Sequence, residues 1–216
     1  MKMLNDAEIR EVMAILARSN PEPKTELVSV NAYTLLVAVM LSAQMTDKGV
    51  NKATAALFAV ADSPEKMLAL GLERLGEYVK SVNYWPTKAR HIIETSQALV
   101  DRFGGAVPDT REALESLPGV GRKTANVMLN AAFGKPTMPV DTHLLRVAPR
   151  LGLSAETTPR GVEDDLMAKI PAEFLLHAHH WLLLHGRYVC VARKPKCAEC
   201  PVESLCPKNG VEPPAA

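Results

Sequence analysis

The run Leu117-Pro118-Gly119-Val120-Gly121-Arg122-Lys123-Thr124-Ala125 decides the fold. It lies between a short helical pattern beginning at Thr110 and a longer one ending near Phe133-Gly134, so it reads as helix, hairpin, helix. Two glycines two residues apart allow backbone conformations closed to other residues. The helix that follows starts with unpaired amide N–H groups, which suit a phosphate oxygen. A hairpin of this kind holds a nucleic-acid backbone without reading its sequence. A glycine-proline turn between helices is also an ordinary structural connection, so the rest of the chain has to decide between the two.

Outward from the hairpin, helical periodicity dominates. Ile9, Val12, Met13 and Leu16 form one apolar stripe, and Ile92, Ile93, Leu99, Val100 and Phe103 form another. Ala32 to Leu41 is almost continuously apolar and ends at Ser42-Ala43-Gln44, the pattern of a buried helix that delivers polar groups to a surface. Thr158-Pro159 followed by Val162, Leu166 and Ile170 supplies a cap, a proline in the first turn and an apolar face. Alternating strand patterns are absent, so the expected fold class is all-α. Its joints fall at Asn20-Pro21-Glu22-Pro23, Gly104-Gly105, Gly134-Lys135-Pro136 and Glu212-Pro213-Pro214.

Composition bounds the function classes. The 216 residues are 47% apolar with a net charge of +1, enough for one large or two small cores and neutral on the question of nucleic acid. No apolar run has the roughly 18 residues of a membrane span, and the first residues run directly into a polar helix pattern, so a cytoplasmic protein with no membrane association is expected. Between Gly186 and Lys208 the basic residues Arg187, Arg193, Lys194, Lys196 and Lys208 outnumber the acidic Glu199 and Glu203.

The same region holds every cysteine of the chain: Cys190, Cys197, Cys200 and Cys206, in the spacing C-x6-C-x2-C-x5-C. Cysteines this dense in a cytoplasmic protein point to a metal site rather than to disulfides. By spacing alone, zinc and a [4Fe–4S] cluster are both open, since each takes four thiolates.

Taken together, these segments resemble the endonuclease III family of helix-hairpin-helix DNA glycosylases, from about Asn20 to Cys206. The resemblance is carried by Leu41-Ser42-Ala43-Gln44, Asp47, Val50-Asn51-Lys52-Ala53-Thr54, Leu117 to Asn126, Val140-Asp141-Thr142-His143, His179-His180-Trp181, Leu184-His185-Gly186-Arg187-Tyr188 and the four cysteines. It implies a two-lobed helical fold. A six-helix barrel domain over 25–135 would carry the hairpin, and a discontinuous domain of 1–24 plus 136–216 would carry a [4Fe–4S] cluster on the cysteines, with zinc a minor alternative.

The resemblance also implies the chemistry. Lys123, in the first turn of the second hairpin helix, matches the nucleophile. A phosphate contact is the plainer reading of such a lysine. Asp141 matches its partner, although capping a new helix would account for an aspartate there. His143 reads as a hydrogen-bonding residue. Gln44 matches the residue that fills the gap left by a flipped base, and Tyr84 falls where relatives carry an apolar wedge. DNA contacts are expected from Gly119, Val120, Gly121, Arg122, Arg193, Lys194 and Lys196.

The sequence departs from the family pattern at Val82-Asn83-Tyr84-Trp85-Pro86, usually written with glycine, leucine and no proline, and at Met45, Met138-Pro139 and Pro149. These departures bear on substrate range. The Tyr-Trp pair could equally be core packing, and Glu115, which matches a base-pocket residue, could be a plain surface acid. The expected activity is a bifunctional glycosylase and abasic-site lyase for oxidised pyrimidines. Its partner would be double-stranded DNA with damaged bases or abasic sites, bound by a monomer in the cytoplasm or on a nucleoid. An adenine glycosylase is the alternative enzyme, disfavoured by Lys123 and by only ten residues after Cys206. A non-catalytic DNA-binding module is the alternative class, disfavoured by Lys123 and Asp141 together.

Overall fold

The structure is a computed structural model that describes residues 1–211; the expected joint at Glu212-Pro213-Pro214 lies outside the described residues. All regular structure among the described residues is helical. The chain forms two compact units, one of residues 25–134 and one of residues 1–24 with 135–216.

The discontinuous unit opens with α1 (Asp6–Ser19). Asn5 and Glu8 form a reciprocal capping box, each side chain accepting from the other's backbone N–H at 3.0 and 2.8 Å. Ile9, Val12, Met13 and Leu16 make its buried face, as their spacing predicts.

The continuous unit holds seven helical segments where six were expected. Its centre is α2 (Ala32–Ser42), in which every residue from Tyr33 to Leu41 is buried. A helix that is apolar on all sides must be surrounded, and the others do so. They are α3 (Asp47–Val60), α4 (Pro64–Leu70), α5 (Leu72–Val79), α6 (Trp85–Phe103), α7 (Arg111–Glu115) and α8 (Arg122–Ala131). The extra segment arises because Gly71 alone separates α4 from α5. Leu36, Leu41, Leu57, Met67, Leu75, Ile92, Leu99, Leu114 and Met128 form its core.

The discontinuous unit resumes with α9 (Thr142–Arg150), α10 (Pro159–Lys169) and α11 (Ala172–Tyr188). Thr158 caps α10 by accepting from Gly161 N at 3.1 Å, with Pro159 in the first turn. Ile9, Met13, Met138, Leu144, Val147, Leu166 and Leu182 share the second core. Pro149 lies inside α9, where it removes the bond an amide would have made to Leu145 O, and the helix ends one residue later.

Candidate nucleic-acid interface and iron–sulfur site

The hairpin joins α7 to α8 and is held from α6. Thr95 Oγ1 donates to Pro118 O at 2.6 Å, and Gly119 packs so closely on His91 that a Cβ there would fall 2.7 Å from the ring. With φ +73 as well, position 119 requires glycine on two counts. Gly121 does not. Its φ is −95, and a Cβ would meet no atom of the protein within 4 Å, so the conformational freedom that glycine allows is not used at this position. What glycine leaves at 121 is open space at the start of α8.

Val120 also differs from expectation. Its side chain is buried and its N–H donates to Leu117 O at 3.1 Å, so it builds the hairpin rather than offering a donor to DNA. Beyond it, α8 begins without a side-chain cap, and its first turn carries Arg122 and Lys123 and no acid. Cations at a helix N-terminus cost about 0.3–1 kcal/mol each, the reverse of what stability favours. Open space, uncapped amides and the Arg122 side chain thus lie together at the start of α8. Lys123 is exposed, and no hydrogen bond or ion pair joins it to another described residue.

A second cluster in the same unit comprises the Gln44 and Tyr84 turns. Both residues are left-handed, at φ 55 and 58, which costs a non-glycine residue about 1 kcal/mol or more. Gln44 follows the end of α2, and Tyr84 is the N-cap residue of α6. Tyr84 is 66% exposed and so is not core packing, whereas Trp85, 37% exposed, lays its ring against Gly76 of α5. Lys88, which sequence reasoning passed over, and Asn83, from the segment that departs from the family pattern, join these turns. Lys88 is 9% exposed and donates from Nζ to Leu41 O at 2.8 Å and Ala43 O at 2.6 Å. Asn83 Nδ2 donates to Gln44 O at 2.7 Å. Burial lowers the Lys88 pKa from its ordinary value. The sequence signal for Lys88 was its phase, four residues before Ile92 on a buried stripe.

In the other unit, Asp141 caps α9, with Oδ1 accepting from His143 N at 2.9 Å and Leu144 N at 3.0 Å. Both bonds go to one oxygen, so Oδ2 stays outside the cap. His143 Nδ1 accepts from Arg146 at 3.1 Å, which fits the hydrogen-bonding role read from the sequence. Glu115 is exposed at the end of α7.

The cysteines follow α11 and are free, half-buried thiols. Arginines of α9 hold the loop between the first two: Arg150 donates to Val191 O at 2.8 Å and Ala192 O at 3.1 Å, and Arg146 to Cys190 O at 3.1 Å. Arg193, Lys194 and Lys196 are exposed on that loop. Its sulfurs accept hydrogen bonds, from Arg150 to Cys190 at 3.7 Å and from Lys208 N to Cys206 at 3.3 Å.

Burial, reinforced by the neighbouring cysteines, pushes the Cys200 and Cys206 thiols up. Four thiols near enough to oppose one another's ionisation need a cation to hold them as thiolates. A zinc ion would draw all four sulfurs to about 2.3 Å from one point. Among the described residues no three Cys, His, Asp or Glu side chains converge in that way. Four cysteines near enough to act on one another's ionisation are the donor set that an iron–sulfur cluster takes, and such a cluster when bound would tie the loop together at four positions.

Comparison with known proteins agrees. Residues 37–172 match the model of the HhH-GPD superfamily base excision DNA repair protein, and residues 190–206 match the iron–sulfur binding domain of endonuclease III. Endonuclease III of Treponema pallidum (strain Nichols) is 58% identical over 98% of this chain and 100% of its own length. That of Escherichia coli (strain K12) is 50% identical over 94% of this chain and 96% of its own. A solved trapped endonuclease III–DNA covalent intermediate, an estranged-adenine complex, superposes with a TM-score of 0.89 at 42% identity, over 95% of this chain and 97% of that one. The four cysteines accordingly hold a [4Fe–4S] cluster. The chain belongs to the endonuclease III family, the helix-hairpin-helix DNA glycosylase/lyases of base excision repair.

Proposed function

We propose that this enzyme excises oxidised pyrimidines from double-stranded DNA and cleaves the abasic site, with Lys123 as nucleophile and Asp141 as its partner. The observation that carries the reading is the exposed Lys123 in the uncapped first turn of α8, beside the open position at Gly121. A phosphate received there by amides and Arg122 fixes the strand, so the neighbouring sugar meets the amine with its entropy of approach already spent in binding. Lys123 Nζ bonds to the sugar C1′ as the C1′–N bond breaks, and the electron pair leaves with the base, which takes up a proton. Ring opening gives the Schiff base. Loss of a C2′ proton then breaks the C3′–O bond, expels the 3′ phosphate, and water releases the lysine. Asp141, through the Oδ2 outside its cap, stabilises positive charge on the sugar or takes the proton from the lysine.

The base must leave the stack first. Gln44 fills the gap and Tyr84 wedges the opposite strand, a reading supported by their exposure and left-handed backbone. Residues 25–135 form the hairpin-bearing domain in this reading, and the protein acts as a cytoplasmic or nucleoid-bound monomer. No helix among the described residues is long and apolar enough to cross a membrane.

The substrate reading is tested with duplexes carrying thymine glycol, 8-oxoguanine or adenine opposite 8-oxoguanine. Excision of thymine glycol with strand cleavage is expected, and excision confined to adenine would overturn it. The basic cluster loop has its own test. Lys196→Ala should weaken binding evenly across sequences and reduce the slope of log affinity against log salt by about one unit. An unchanged slope would remove Lys196 from the interface.

A further inference from the structure

We propose that Asn83 and Lys88 are positioning residues that clasp the Gln44 turn to the Tyr84 turn, so that gap filler and wedge meet the duplex as one preformed unit. The inference rests on the reading of Gln44 and Tyr84 as the residues that enter DNA.

The backbone accounting at the end of α2 carries it. The last carbonyls of a helix lack partners within it, and α2 ends on Ser42-Ala43-Gln44 without the glycine that often closes a helix. Here each carbonyl from residue 41 to residue 44 is taken. Leu41 O and Ala43 O accept from Lys88 Nζ at 2.8 and 2.6 Å, Ser42 O from Met45 N at 3.0 Å, and Gln44 O from Asn83 Nδ2 at 2.7 Å. Three of these four bonds come from the segment that begins α6. Lys88 is bound into the other turn as well, its own N–H donating to Tyr84 O at 3.1 Å. One residue thus grips the Tyr84 turn with its backbone and the Gln44 turn with its side chain.

The charge is well placed, since an ammonium at the C-terminal end of α2 meets the negative pole of that helix. The bonds hold two left-handed residues in place while their side chains stay in solvent. A fixed backbone under a free side chain suits insertion into a base stack, because little ordering remains to be done on binding. Asn83 belongs to the segment in which this chain departs from the family pattern, so its bond is not something the family resemblance supplies.

The test uses the full-length enzyme with its cluster. Single-turnover excision and 2-aminopurine unstacking are measured on a thymine glycol duplex, and strand cleavage on a single-stranded abasic oligonucleotide. Asn83→Ala changes an exposed side chain and should leave the melting temperature unchanged. It should slow unstacking and duplex excision roughly 3- to 10-fold, the scale of one lost hydrogen bond, and leave single-strand cleavage intact. In a Gln44→Ala background the same change should add a smaller loss, through Tyr84 alone. Lys88→Met should produce a larger loss of the same pattern, with partial rescue in Lys88→Arg. If Asn83→Ala matches wild type while Gln44→Ala and Tyr84→Ala slow duplex excision, the clasp is overturned and the wedge reading stands. A loss equal on single strands, or undiminished in the Gln44→Ala background, marks a merely structural role and also overturns it. Should Gln44→Ala and Tyr84→Ala both leave the duplex rate unchanged, the wedge reading fails and the clasp falls with it.

Discussion

Lys123→Gln is expected to abolish base release and the borohydride-trapped adduct while leaving DNA affinity nearly intact. The two halves of this result separate the nucleophile from a phosphate contact. Gly121 still leaves open space at the start of α8, the first-turn amides remain uncapped, and Arg122 remains beside them. Affinity therefore has little reason to fall. Folding should not be harmed either, since glutamine removes a cation from the positive end of a helix, a change worth a few tenths of a kcal/mol in favour of stability. The measurement pairs single-turnover excision and trapping with a binding isotherm on an uncleavable abasic analogue. A large drop in affinity with a modest drop in rate would assign Lys123 to the phosphate instead.

Asp141→Asn is expected to slow base excision by roughly 10²-fold or more, the scale of losing one electrostatic stabiliser of a charged transition state. The geometry makes this substitution informative. Oδ1 alone makes both cap bonds, to His143 N and Leu144 N. Asparagine keeps that oxygen and is as good an N-cap as aspartate, so α9 and its arginine contacts to the cluster loop should survive. What changes is the charge that Oδ2 shares. Single-turnover rates with a parallel melting curve check it: an unchanged melting temperature with a slow rate is expected, and an unchanged rate would reduce Asp141 to a cap.

The parts of this molecule that were legible in the sequence are those encoded locally. Thr158-Pro159 and Asp141 announce helix starts because a cap acts within three residues, and the run from Ala32 to Leu41 announces a buried helix because it leaves no polar face. The break at Gly71 was not legible, since a single glycine does not interrupt an apolar period as a proline would. The different reasons for the two hairpin glycines were hidden as well. They depend on His91, which lies 28 positions before Gly119 and meets it only in the fold.

The site divides in the same way. Lys123, Asp141 and the cysteines stand in recognisable strings, whereas Lys88 reaches carbonyls 45 and 47 residues away and Arg150 reaches one 41 residues away. No periodicity encodes those distances. Val120, expected among the DNA contacts, has its side chain in the core of its unit, a placement that no local pattern announces.

The central claim, that Lys123 forms the covalent bond to the sugar, is tested most directly by reducing the enzyme–abasic DNA adduct with borohydride and mapping the modified residue by peptide mass spectrometry. The account predicts one modified residue, Lys123, in the peptide that follows the hairpin. Modification at any other amine, or no trapped adduct from enzyme that cleaves the strand, would contradict it.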